Sequence, residues 1–387
     1  MKISAAFPPV PATPEHIGLA EKLGYSTAWV YDTPALQLDC WMTLALAAAR
    51  TSRIRLGPGV MIPSLRHPMV TASAIATLVS LVGESRVIIG IGTGFTGRRA
   101  MGQKPLRWQD MPRMVGDIRR LLAGETVEIE GAATSMLHWP GQAPNRPIEV
   151  PFVLGVNGPK GLETAAAMRC GVITSRPRPD ADYDKSLDVI LLGFGTILDQ
   201  GETLSSQRVI NTAGPGVMVA YHAFLEQHDA RLDRLPNAKC FVELANAVDP
   251  GQRHMALHSG HLTELNAIDR QVITGEAMSI TPLVCKPAEL PERLDGLATQ
   301  GITEVAFQPT GDVTRERTAF ALHLYTGQRR ADVARMAWTD VAGNAINVVQ
   351  AKTGNCHLWG AVWCLPKCSN CRRASAVTAR RVNCVRA

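Results

Sequence analysis

Two glycine-rich segments, one carboxylate, one histidine and a late cluster of cysteines are the residues whose types and settings could do chemistry. Gly90-Ile91-Gly92-Thr93-Gly94 closes a β-rich run. Its glycines let backbone approach a flat or phosphate-bearing ligand closely, and they equally suit a turn that needs positive φ. Asn157-Gly158-Pro159-Lys160-Gly161 follows another such run and opens a helical pattern. Free N–H groups and the positive end of that helix could hold a phosphate, the other reading being a simple capped helix start. Asp32 is placed to orient a ring or accept a proton, or else to cap a helix or join a loop salt bridge. His67, just ahead of Pro68, either holds its loop or touches a ligand. Cys364, Cys368 and Cys371 have the spacing that binds an iron–sulfur cluster in radical enzymes, and Cys356 with His357 suggests zinc. Radical enzymes place that motif early in a barrel, however, so free thiols are the expected state and no metal is predicted.

The elements that must position these residues alternate. Short β-rich runs are predicted at 2–7, 26–30, 53–60, 87–91, 151–156, 171–174 and 303–308. Helical patterns are predicted at 13–24, 38–51, 69–81, 111–122, 158–168 and 287–300. A hairpin is predicted around 126–137. Between 175 and 260 the signals weaken, leaving helical stretches near 217–228 and 261–273. Repeats of roughly 30 residues fit an α/β fold of the (β/α)₈ TIM barrel type, with a doubly wound open sheet as the alternative. Chemistry in such a barrel sits at the carboxyl ends of the strands, which is where Phe7, Asp32, Thr93, Asn157 and Thr174 fall.

Composition divides the 387 residues in two. The net charge of +6 is confined to residues 313–387, which carry twelve Lys and Arg against three Asp and Glu; residues 1–312 are net −3. Five of the nine cysteines crowd into the last 32 residues. The basic tail predicts at most weak, nonspecific contact with nucleic acid. No run approaches the roughly 18 apolar residues of a membrane span, and the start lacks the pattern of a signal peptide, so a cytoplasmic location without membrane contact is expected.

Over residues 1–312 the chain resembles the bacterial luciferase-like family of flavin-dependent oxidoreductases. The likeness rests on Trp41-Met42-Thr43-Leu44-Ala45-Leu46-Ala47-Ala48-Ala49-Arg50-Thr51 with Ile54-Arg55-Leu56-Gly57, and on Arg66-His67-Pro68 with Thr71-Ala72. Gly90-Ile91-Gly92-Thr93-Gly94, Asn157-Gly158-Pro159-Lys160 and Val305-Ala306-Phe307-Gln308-Pro309-Thr310-Gly311 complete it. The resemblance implies FMN or a deazaflavin at the barrel mouth, acting on a small organic substrate by hydride transfer or oxygen insertion. It places Met61, Ile62 and Pro63 behind the ring, on a bulge that often carries an unusual cis peptide; an ordinary cis Ile62-Pro63 bond is the alternative. Thr93 and Gly94, with Phe7 and Thr174, would line the cofactor, and Asn157, Gly158, Pro159 and Lys160 would face its phosphate end. Asp32 is the candidate catalytic carboxylate, although Tyr31-Asp32-Thr33 lacks the histidine that many relatives show next. A homodimer through barrel helices is also implied.

Residues 321–333 with Met336, Trp338, Asp340 and 346–354 resemble part of a tyrosine recombinase (phage integrase) catalytic domain, Arg329 and Lys352 matching its phosphate-facing arginine and lysine. Nothing after Gly354 resembles that family's His-x-x-Arg box, and no tyrosine occurs from residue 326 onward, so recombination by this chain is excluded. The expected organisation is a barrel over 1–312, an integrase fragment over 313–354 and an irregular, disordered Cys- and Arg-rich end over 355–387. The competing functional readings are a DNA-associated integrase remnant on an inert barrel, and a fusion with no activity.

Overall fold

The computed structural model describes residues 1–178, 183, 184 and 186–311, and the backbone of four short strands between 341 and 383. In chain order the first part runs β1 (Lys2–Phe7), α1 (Thr13–Lys22), β2 (Thr27–Val30), α2 (Cys40–Ala48), β3 (Arg55–Pro58), α3 (Pro68–Val82), β4 (Ile89–Gly92) and α4 (Phe95–Arg99). Then follow α5 (Met111–Ala123), the hairpin β5 (Val127–Ile129) and β6 (Ala132–Thr134), β7 (Phe152–Gly155), α6 (Pro159–Ala167), β8 (Gly171–Thr174) and β9 (Val189–Ile197). An excursion of α7 (Gln207–Gln227), α8 (Ala238–Ala247), α9 (Arg253–His258) and α10 (Asp269–Val272) leads to β10 (Leu283–Cys285), α11 (Leu290–Thr299) and β11 (Glu304–Gln308).

Eight parallel strands in the order β3, β2, β1, β11, β9, β8, β7, β4 form a nearly closed barrel, as the sequence predicts. The remaining seam, β3 to β4, is bridged by Leu56 with Val87 and Met61 with Ile91. That approach depends on Gly57, where a Cβ would lie 1.8 Å from the Ile88 carbonyl oxygen. Ala6, Trp29, Tyr31, Ile88, Val153, Ile173, Ile190 and Ala306 fill the barrel, and the outer helices pack their apolar faces on its wall.

Local signals locate the elements well where only one face is buried or a cap is strong. Asp39 caps α2 by accepting from Trp41 N and Met42 N, at 2.9 and 3.0 Å. Between 175 and 282 the structure departs from expectation. The strand β9 was invisible because it is buried along nearly its whole length, which leaves a continuous apolar run without period-2 alternation. The helix expected near 217–228 starts ten residues earlier and contains Pro215. No helix spans 261–273: Gly260 and Leu262 adopt positive φ, 69° and 68°, and only α10 forms there. The excursion has its own core around Val209, Met218, Tyr221 and Phe241.

The described strands of the C-terminal part, β12 (Val341–Ala342), β13 (Ala345–Val349), β14 (Cys356–Gly360) and β15 (Arg381–Asn383), pair antiparallel in that order. Two of them lie in the end predicted to be irregular; β14 pairs along the β-rich run of β13. Arg329, Lys352, Cys364, Cys368 and Cys371 lie outside the described residues. No helix among the described residues is long and apolar enough to cross a membrane.

Candidate active site

The strand ends gather at one mouth, and the chain leaving β3 forms its floor. Gly59 N donates to Val30 O (2.7 Å), Met61 N to Gly90 O (2.8 Å) and Gly92 N to Met61 O (2.9 Å), stitching this bulge to strands on both sides. The cis peptide is Gly59–Val60, two residues earlier than the expected Met61 to Pro63, and Ile62-Pro63 is not cis. Met61, Ile62 and Pro63 are buried beneath the mouth, while half-buried Val60 faces it. Val60 escaped the sequence reading; the available signal was the row of glycines it packs on, since a Cβ on Gly92 would meet Val60 at 2.5 Å and one on Gly155 at 3.3 Å.

Asp32 is 2% exposed and its oxygens are engaged. Oδ2 accepts from Arg66 Nη1 (2.7 Å) and Ile62 N (3.1 Å), and Oδ1 accepts from Arg66 Nη2 (3.0 Å). Arg66 also reaches Asp39, at 2.8 Å. Burial opposes the Arg66 charge, but the hydrogen bonds and field of Asp32, then Asp39, outweigh it and raise its pKa. This ion pair fastens the bulge to β2 and to the α2 cap, the loop salt bridge that the sequence offered as an alternative to proton transfer. The Cys40 thiol next to it is pushed up by burial and then by Asp32, so it stays neutral. His67, exposed, caps α3 by accepting from Met69 N at 3.1 Å, so of its two readings the structure has it holding the loop.

On the other side of the mouth, Asn157 to Lys160 lead into α6. Asn157 Oδ1 accepts from Thr174 Oγ1 (2.9 Å), Ser175 N (2.9 Å) and Ser175 Oγ (3.0 Å), and Arg176 donates to Asn157 O (2.9 Å). The predicted Asn157 and Thr174 are thus brought into contact. Gly158, the N-cap, gives α6 no side-chain cap, and a Cβ there would meet nothing within 4 Å. Pro159 and Lys160 are exposed. Between these two sides lie half-buried Thr93, and Gly94 in the left-handed region at φ 81°. Phe7 is fully buried below them.

Over the β11 side of the mouth the excursion supplies a cover. Leu262 packs on the barrel filling, and Gln308 Nε2 donates to its carbonyl. That bond fixes the amide orientation and leaves Gln308 Oε1 buried and without a partner. A groove of about 380 Å³ lined by Arg119, Leu122, Ile148, Pro151 and Phe152 lies at the opposite, N-terminal end of β7, away from every candidate residue.

Residues 3–190 match the family described as luciferase-like monooxygenase. A 5,10-methylenetetrahydromethanopterin reductase of Methanolobus tindarius is 31% identical over 190 residues, 48% of this chain and 56% of that protein's length. An F420-dependent glucose-6-phosphate dehydrogenase of Microbacterium testaceum is 26% identical over 315 residues, covering 76% of this chain and 85% of the relative. Among solved structures, the coenzyme F420 dependent tetrahydromethanopterin reductase from Methanopyrus kandleri superposes with a TM-score of 0.58 at 21% identity, over 84% of this chain and 98% of that one. Residues 3–190 are thus similar to luciferase-like monooxygenases, and the chain has the luciferase-like TIM-barrel fold.

Proposed function

We propose that the barrel mouth binds a phosphate-bearing deazaflavin of the F420 type and uses it for hydride transfer involving a small organic molecule. The observation that carries this reading is the uncapped N-terminus of α6, open at Gly158, facing the same mouth as the Val60 floor. An uncapped helix start of nine residues offers N–H donors and a positive dipole end to an anion, with Lys160 beside it. The orphaned Gln308 Oε1 adds a buried acceptor for a ring or substrate N–H or O–H. Both features fit a flat ring with a phosphate tail. The printed names of relatives and of a structural neighbour, two of them F420-dependent, favour the deazaflavin over FMN.

The bound cofactor would supply the hydride chemistry. Val60 backs the ring, Met61, Ile62 and Pro63 hold Val60 in place from below, Thr93 and Gly94 border it, and Asn157, Gly158 and Lys160 take the phosphate end, with Thr174 orienting Asn157. Phe7 supports the floor without contact. Asp32 is a positioning residue that keeps Ile62 and the bulge in register through Arg66. The apolar stripe of Leu38, Met42 and Leu46, 55%, 71% and 55% exposed, with Val70 on α3, supports a homodimer through these helices. The integrase likeness of 321–354 supports a remnant without chemistry, and the basic end supports at most salt-sensitive contact with nucleic acid.

Parallel fluorescence titrations of the purified chain with coenzyme F420 and with FMN test the assignment. Saturable binding, tighter for F420, is expected; no binding of either by a folded protein would overturn it, and tighter binding of FMN would shift the reading to a flavin monooxygenase.

A further inference from the structure

Three buried histidines remain unused by the mouth: His222 on α7, His258 at the end of α9, and His261 in the next loop, exposed by 1%, 0% and 3%. One ring nitrogen of each lies within 4.8 Å of the other two. Every Nε2 is engaged outward. His222 Nε2 is 2.9 Å from Asp269 Oδ1, His258 Nε2 is 2.8 Å from Glu226 Oε1, and His261 Nε2 is 3.2 Å from Thr96 Oγ1. The three Nδ1 atoms are what remains. His222 Nδ1 and His261 Nδ1 are 3.1 Å apart, and His258 Nδ1 is buried with no partner.

Proton accounting shows that this cluster is not satisfied by hydrogen bonds alone. The carboxylates of Asp269 and Glu226 accept, so His222 and His258 carry their protons on Nε2 and present bare Nδ1 lone pairs. His261 can satisfy one of them by donating from Nδ1 while its Nε2 accepts from Thr96. The lone pair of His258 is left with no donor, in a fully buried position. An extra proton is disfavoured, since burial, then His222 and His258, hold His261 well below the ordinary imidazole range.

We propose that His222, His258 and His261 bind one divalent transition-metal ion of the zinc class through their Nδ1 atoms. All three rings then use both nitrogens, with Asp269, Glu226 and Thr96 as the outer partners that orient histidine ligands. Zinc–nitrogen bonds of about 2.0–2.1 Å in tetrahedral geometry put ligand nitrogens about 3.3 Å apart. The 3.1 Å pair is close to that spacing, and loading draws His258, whose nitrogen lies within 4.8 Å of the others, inward by up to about 1.5 Å. Two carboxylates, one of them also paired with Arg99 at 3.2 Å, face the dication among neutral imidazoles. Three nitrogen ligands without a thiolate select zinc, nickel or copper over calcium or magnesium, and the fourth position takes water. Such an ion joins α4, through Thr96, to α7 and to the loop that sets Leu262 over the barrel, so its role is to pin the cover.

The test uses the full chain, stripped with a chelator and titrated with Co²⁺ and with Zn²⁺, with His258→Gln and Asp269→Asn in parallel. One Co²⁺ per chain is expected, giving visible d–d bands without the intense near-ultraviolet sulfur-to-cobalt transition that the tail cysteines would produce. Affinity should fall more than about 100-fold in His258→Gln and about 10- to 100-fold in Asp269→Asn. If circular dichroism shows His258→Gln unfolded, Asp269→Asn decides. No binding, binding with only the sulfur signature, or binding unchanged in the folded variants would overturn the proposal.

Discussion

Replacing Gly158 with aspartate should move stability and cofactor affinity in opposite directions. The backbone there is extended, φ −136° and ψ 169°, and a Cβ meets no atom within 4 Å, so the side chain enters without strain. Aspartate is a better N-cap than glycine by a few tenths of a kcal/mol, so Tm should hold or rise slightly. The same carboxylate occupies the anion position at the α6 N-terminus. Two unit charges at about 4 Å repel by about 1 kcal/mol in water and about 4 kcal/mol at an effective dielectric of 20. Gly158 is half-buried and Lys160 exposed, which puts the penalty near the low end, about 1–2 kcal/mol, or 5- to 30-fold in Kd. Fluorescence titration with F420, alongside a melting curve, measures both. Gly158→Ala serves as the control for size and should leave Kd within about twofold. Undiminished affinity in a folded Gly158→Asp protein would refute the assignment of the phosphate end to α6.

Asp32→Asn removes the charge facing Arg66 but leaves Asp39; breaking a buried pair costs about 3–5 kcal/mol, and the remaining partner lowers this to about 2–3 kcal/mol, or a Tm drop of roughly 4–6 °C. A weaker cofactor Kd with an unaltered pH profile is expected, whereas wild-type Tm and Kd with turnover abolished would make Asp32 a proton-transfer group. Glu21 is raised by burial but lowered further by the N–H groups of Ile54, Arg53 and Ser52, so its net shift is downward. Its contribution is therefore complete above the unfolded carboxylate range near pH 4 and is lost as pH falls; Glu21→Gln should flatten the acid limb of a Tm-against-pH curve. Met42→Glu on the exposed α2 stripe should convert a dimer to monomer in light scattering, and a monomeric wild-type chain would remove the dimer proposal.

The sequence made the barrel legible because its signals are local. Strands β1 and β8 fall at the predicted residues, and α3 and α5 within one residue, each bounded by proline, glycine or a polar cap. What it concealed depends on residues distant in the chain. A salt bridge is one of the readings the sequence offers for Asp32, but its partner is identified only when Arg66, 34 positions later, is folded against it. The bulge could be anticipated but not its position, since Gly57 and Gly59 reveal their purpose only when Ile88 and Trp29 pack on them. His222, His258 and His261 span forty residues of weak pattern and meet only because α7, α9 and a left-handed turn at Leu262 converge.

The central claim is that the mouth between the β3 bulge and α6 is the cofactor site, and hydrogen–deuterium exchange with and without saturating F420 tests it most directly. Protection at residues 59–63, 92–94 and 157–161 is the predicted result. Protection confined to the groove around Arg119 and residues 147–152, or none at any of these segments under saturation, would contradict it.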